Sequence, residues 1–204
     1  MTISALQNWR SVRLERLDRL LAAHPDVAGS TTDPAVTREW TRALVLLLAS
    51  EFQGFCRDLH DEVANAIGRG AAGNDERLRK RICSGLTMSR GLDRRSADVQ
   101  TLNHDFYRLG SELSTRLAQQ YPDEAAAWLD GLRYLHKARN GVIHDDDISV
   151  RKAEDAGWVL RIDSARRWRK LLDEVASAMA YLFVTDIDDL FRQVLSEKGE
   201  SDVC

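Results

Sequence analysis

The chain has 204 residues, 30% of them charged and 44% hydrophobic, with a net charge of −3. That length buries one core without disulfides or metal, and the near-neutral balance argues against a coat-like or histone-like polycation. Scattered cysteines (Cys56, Cys83, Cys204), a charged N-terminus and a longest apolar run of only Ala43 to Ala49 point to a globular cytoplasmic protein without signal peptide, disulfide framework or membrane span.

The first helix is expected over about Ile3 to Ala23, where Leu6, Trp9, Val12, Leu17, Leu20 and Leu21 recur near every third or fourth position. His24 to Pro34 is rich in Gly, Ser, Thr and Pro and reads as a loop, with Asp33 as N-cap and Pro34 at the first helical position. A long second helix follows, about Ala35 to Ile67, closed by Gly68-Arg69-Gly70. Arg69 to Arg95 is basic and weakly patterned, an insertion of one short helix and loops. A third helix, about Ala97 to Gln120, carries Val99, Leu102, Phe106, Leu109, Leu113 and Leu117, and a fourth opens at Asp123. Ser149-Val150-Arg151 and Trp158 to Ile162 flank Asp155-Ala156-Gly157, which allows at most one short β-hairpin. The last helix, about Ser164 to Leu195, carries Trp168, Leu171, Leu172, Val175, Met179, Leu182 and Phe183, then Ile187, Leu190, Phe191 and Val194. The expected fold is a single all-α domain over residues 1–204, an up-and-down helical bundle.

The fourth helix runs into Arg139-Asn140-Gly141-Val142-Ile143-His144, followed by Asp145-Asp146-Asp147. Arginine grips a phosphate through parallel N–H donors, and histidine moves a proton near neutral pH. Together they suffice to cut a phosphodiester without metal. Asn140 and His144, four apart, share a helix face, whereas Arg139 and His144 stand about 140° apart around a continuous helix. Both reach one phosphate only if the helix breaks at Gly141 or a second subunit brings its own pair. The plain alternatives are a surface Arg–Asp pair, an Asn-Gly helix cap and a solvated histidine.

A bundle whose penultimate long helix ends in Arg-Asn-x-x-x-His resembles the HEPN superfamily of higher-eukaryote and prokaryote nucleotide-binding domains. The phrase Tyr134 to His144 and the helix around Glu51-Phe52-Gln53-Gly54-Phe55 carry the likeness; residues 69–95 do not. The resemblance implies a homodimer with two copies of the motif across a two-fold axis, hence a metal-independent endoribonuclease that needs no cofactor. In that reading Arg139, His144 and Asn140 are catalytic. The resemblance also implies a toxin or defence effector restrained by an antitoxin or other regulatory protein. The rival is a non-catalytic module of the same fold that binds RNA, a nucleotide or a partner protein.

Other residues carry weaker signals. Glu51 falls within the apolar stripe of Trp40, Leu44, Leu47, Leu48 and Phe55, so it must be paired. It either supports Arg139 or Asn140 or joins an internal salt bridge with another arginine. Lys137 adds positive field near Arg139. The arginine clusters at 77–81 and 90–95, and Arg166, Arg167, Arg169 and Lys170 around Trp168, are candidate RNA contacts, although helix spacing favours the core for Trp168 itself. Asp145 to Asp147 reads as a cap on the next turn rather than a metal site. The His-Asp pairs at 60, 104 and 144 only faintly suggest metal-dependent HD phosphohydrolases.

Overall fold

The computed structural model describes residues 3–24 and 33–201, with side chains through residue 186. Among these residues there are helices and turns but no strand. Helix α1 combines Ser4–Asn8, a π-helical stretch Trp9–Leu14, and Glu15–Ala22. The chain continues as α2 (Pro34–Ala72), α3 (Glu76–Thr87), a 3₁₀ turn (Gly91–Asp93), α4 (Val99–Tyr107) and α5 (Leu113–Gln120). Then come α6 (Ala125–His144), α7 (Asp147–Glu154) and α8 (Ile162–Ser201).

Asp33 caps α2 as expected, accepting the Ala35 N–H at 2.9 Å with Pro34 in the first turn. The glycines at 68 and 70 do not stop α2, which runs on to Ala72 because α3 packs along its C-terminal half. The third expected helix is two helices. Gly110 takes φ 84°, and the Ser111 N–H returns to the Phe106 carbonyl at 3.1 Å, so the apolar pattern continues while the axis turns.

The short hairpin allowed before the last helix is not there; α7 occupies its first half. Asp146 caps that helix, accepting the Ile148 N–H at 3.0 Å and the Ser149 hydroxyl at 2.5 Å, and this outweighs the β-leaning Ile148 and Val150. At its other end Gly157, at φ 83°, turns the chain so that the Trp158 N–H meets the Ala153 carbonyl at 2.9 Å. Trp158 then stacks on Trp168, centroids 4.7 Å apart.

The core lies between α1, α2, α6 and α8, with α4 and α5 closing one side. Trp9, Phe52 and Phe55 form one aromatic group, and Phe106 with Phe183 another. Each such side chain, once out of water, stabilises the fold by about 1.5–3 kcal/mol. Helix α3 has no buried residue and packs chiefly on α2, with Arg108 after α4 donating to its Gly85 carbonyl at 2.6 Å. The expected apolar positions Ile187, Leu190, Phe191 and Val194, and most of the expected loop (25–32), lie outside the described side chains or residues.

Candidate functional site

Helix α6 buries Trp128, Gly131, Leu132, Leu135, Ala138, Gly141 and Val142 against the bundle. That apolar stripe turns His136, Arg139, Asn140 and His144 away from the core. The helix does not break at Gly141 but continues to His144. Gly141 serves packing instead: an added Cβ would stand 2.6 Å from Val150 Cγ2 and 2.9 Å from the Val150 nitrogen, so α7 can lie against α6 only because the side chain is absent.

Four polar side chains form a chain of hydrogen bonds on the outer face. Arg139 donates to Asn140 Oδ1 at 2.9 Å, and Asn140 Nδ2 faces His136 Nε2 at 2.9 Å. On the other ring edge, Ser96 Oγ lies 2.6 Å from His136 Nδ1. The directions follow from chemistry. Arginine only donates, so the amide oxygen of Asn140 faces it and the amide N–H faces His136. His136 Nε2 therefore accepts and is unprotonated, and Nδ1–H donates to Ser96. Burial of the ring pushes the His136 pKa down; Asp98, 3.8 Å from Nε2, works against this, and the Arg139 charge adds to the lowering. The network is thus built for a neutral imidazole. Arg139 has no carboxylate partner among the described residues.

His136, Ser96 and Asp98 were not singled out from the sequence. His136 stands four residues before Asn140, a spacing that places both on one helix face, and this was the available signal. Ser96 and Asp98 arrive from the turn before α4, which no local pattern reveals.

His144 ends α6 and is exposed, with no hydrogen bond or ion pair among the described residues. Asp145 takes the left-handed conformation at φ 53°, and the Asp146 N–H closes on the Gly141 carbonyl at 2.9 Å. Arg42 reaches from α2 to the Val142 carbonyl at 3.4 Å and Asp145 Oδ1 at 3.2 Å, placing a cation at the negative end of α6. Asp146 thus acts as the cap on the next turn that the acidic run suggested, while the Asp145 carboxylate pairs with Arg42. Because the helix is unbroken, Arg139 and His144 point about 140° apart, and one chain does not aim both at one phosphate.

Other candidates fall elsewhere. Glu51 is 5% exposed and does not reach Arg139 or Asn140. It pairs with Arg13 at 2.9 Å and with Arg16, which is the internal salt bridge. Lys137 lies over the Tyr134 ring, 5.0 Å from its centroid. Trp168 is fully buried and donates to the Gly131 carbonyl at 3.1 Å, so it belongs to the core. The cations around it all have partners within the chain, those of Arg166 and Lys170 being exposed surface pairs. Arg169 forks onto Asp18 at 2.8 and 2.7 Å, and Arg167 covers Trp158 at 4.2 Å. Arg166 meets Asp163 at 3.5 Å and Lys170 meets Glu174 at 3.7 Å. His60 is buried against the Asp105 carbonyl at 3.2 Å, far from any phosphohydrolase-like pairing with Asp61, whose carboxylate binds Arg90.

No helix of the described residues is long and apolar enough to cross a membrane. Comparison with protein-family models, with curated proteins and with solved structures returns no match.

Proposed function

We propose that the protein is a metal-independent endoribonuclease, a toxin or defence effector whose cleft forms where two copies bring their α6 ends together. The observation that carries this reading is the guanidinium of Arg139. It is oriented through Asn140, His136 and Ser96, yet engages no carboxylate among the described residues. A structural arginine would be expected to meet an acid; one oriented by a neutral amide keeps its charge for an anion. His144, on the same helix end, is solvent-facing and has no side-chain partner among the described residues.

In the proposed reaction one His144 takes the proton of a ribose 2′-hydroxyl, and the resulting oxygen attacks the adjacent phosphorus. The P–O5′ bond breaks and the leaving oxygen takes a proton from the second copy's histidine, giving a 2′,3′-cyclic phosphate and a 5′-hydroxyl. Arg139 neutralises the charge that builds on the non-bridging oxygens. The divergence of Arg139 and His144 around α6 is the reason for invoking two copies.

The test is cleavage of single-stranded RNA in EDTA. We expect cyclic-phosphate products from wild type, with rates falling about 10²–10⁴-fold in His144→Ala and about 10²–10³-fold in Arg139→Ala. Intact RNA at high protein concentration would instead support the non-catalytic binding module, and cleavage abolished by EDTA would point to a metal.

A further inference from the structure

We propose that the turn between α3 and α4 builds a phosphate-binding cavity that holds the backbone of an RNA strand beside Arg139. The choice of RNA rests on the nuclease reading; the phosphate chemistry does not.

The cavity measures about 220 Å³ and is lined by Arg90, Arg94 and Arg95 from the turn and by Gln100, Thr101 and His104 from α4. Ser89 and Gly91 complete the rim; no carboxylate is among these lining residues, and the nearby Asp105 is buried behind the wall, 3.1 Å from His104 Nδ1. Arg90 is structural. It is 7% exposed and bound to Asp61 at 2.7 Å and Asp93 at 2.8 Å, so its charge is already balanced. Arg94 and Arg95 differ: both are exposed, and neither has an ion pair among the described residues. They give the cavity two uncompensated cations, beside the Ser89 and Thr101 hydroxyls and the Gln100 amide, which can donate to phosphate oxygens; the Nδ1–H of His104 is already given to Asp105.

The walls are fixed before any ligand arrives. Buried Asp105 accepts the Gly91 N–H at 2.8 Å and the Leu92 N–H at 2.7 Å. Gln53 of α2 donates to the Leu92 carbonyl at 2.7 Å and to the Arg95 carbonyl at 2.8 Å. A loop pinned at both ends loses little freedom when it binds, which favours affinity. Location gives the second argument. Ser96 directly follows Arg95 and meets His136 at 2.6 Å, so the cavity adjoins the network that orients Arg139. Its volume is below the roughly 300–1,000 Å³ of sites that enclose a whole small molecule. That suits one phosphate of a passing strand better than an engulfed nucleotide. A larger cavity, about 410 Å³ beside α7, also gathers arginines (Arg38, Arg42, Arg151 and Arg161) but sets Asp147 and Glu154 among them, which opposes a phosphate.

The experiment measures binding of a fluorescent 2′-O-methyl oligoribonucleotide, which cannot be cut by 2′-hydroxyl attack, to the full chain by anisotropy. For Arg94→Ala/Arg95→Ala, with helicity checked by circular dichroism, we expect affinity at least tenfold weaker at about 100 mM salt and a log–log salt slope shallower by about 1.4. A control that removes two charges elsewhere, Arg10→Ala/Arg19→Ala on α1, should bind within about twofold of wild type. Wild-type affinity in the cavity variant or equal losses in both variants each overturn the proposal, as does a wild type that binds neither the oligonucleotide nor inorganic phosphate. In a second arm, inorganic phosphate is titrated while the Arg94 and Arg95 side-chain resonances are followed. Shifts there without oligonucleotide binding would make this a free-phosphate site and remove RNA from the proposal. Binding through Arg94 and Arg95 without any cleavage would retire the nuclease and leave this site standing; cleavage with unaltered binding by the cavity variant would do the reverse.

Discussion

At the scale of single residues, the orientation of Arg139 depends on one proton. If His136 gains a second one, both ring nitrogens become donors and Nε2–H confronts the Asn140 amide N–H. The amide must then flip, and its oxygen leaves Arg139. Because burial lowers the His136 pKa, the network's contribution is intact above about 6.5 and is lost as pH falls through that window towards the depressed midpoint. An NMR titration of the ring should give a midpoint below 6.5 in wild type, and a higher one in Arg139→Ala, since the guanidinium charge is among the causes of the lowering. A wild-type midpoint at or above 6.5 would mean that the network does not favour the neutral ring. Glu51 makes a different point. Glu51→Ala leaves Arg13 and Arg16 facing a nearly buried site without their shared acid, and should cost about 2 kcal/mol in urea unfolding, below the 3–5 kcal/mol of a fully buried pair because both arginines keep some solvent. RNA binding by the folded fraction should be unaltered. The sequence required Glu51 to be paired but did not say with what, because its partners lie 35 and 38 positions away on another helix.

At the scale of elements, the junction of α6 and α7 sets where His144 stands. Alanine is the better helix former by about 1 kcal/mol, so propensity alone would favour Gly141→Ala. The new methyl, however, would press on the Val150 side chain, the Val150 nitrogen and the Asp146 carbonyl, and two of those are backbone that cannot swing aside. Overpacking of this kind costs about 1–3 kcal/mol, so a net loss is expected. The measurable outcome is a lower urea midpoint with faster amide exchange confined to α7; an unchanged or raised midpoint would mean the two helices part without cost. The same junction explains why residues 148–154 are helical rather than extended: Asp146 satisfies the first turn's N–H groups, and α6 supplies the surface on which the buried Ala153 packs.

At the scale of the whole molecule, the proposed chemistry needs a second copy. The chain should therefore sediment at twice 23.1 kDa at micromolar concentration, and cross-linking through a cysteine placed at Ile143 should join the two copies. Ile143 is 45% exposed on the turn between Asn140 and His144, which is the apolar surface such a contact would cover. A chain that stays monomeric at those concentrations would leave each Arg139 without an opposed His144 and would remove the composite cleft.

The sequence by itself determined the helical class, the cap at Asp33, the burial of Trp168 and the acidic cap after α6. These depend on spacings of one to four residues, which a chain encodes locally. It also placed Arg139, Asn140 and His144 at the end of one helix. It missed the break at Gly110 and the helix over 147–154, where a single glycine and a single capping aspartate decide between conformations that the apolar pattern leaves open. Tertiary structure alone decided which groups meet: Ser96 with His136, Glu51 with Arg13 and Arg16, and Gln53 with the turn that carries Arg94 and Arg95. Those contacts join residues some 35 to 42 positions apart, and only the packing of helices brings their side chains within bonding distance.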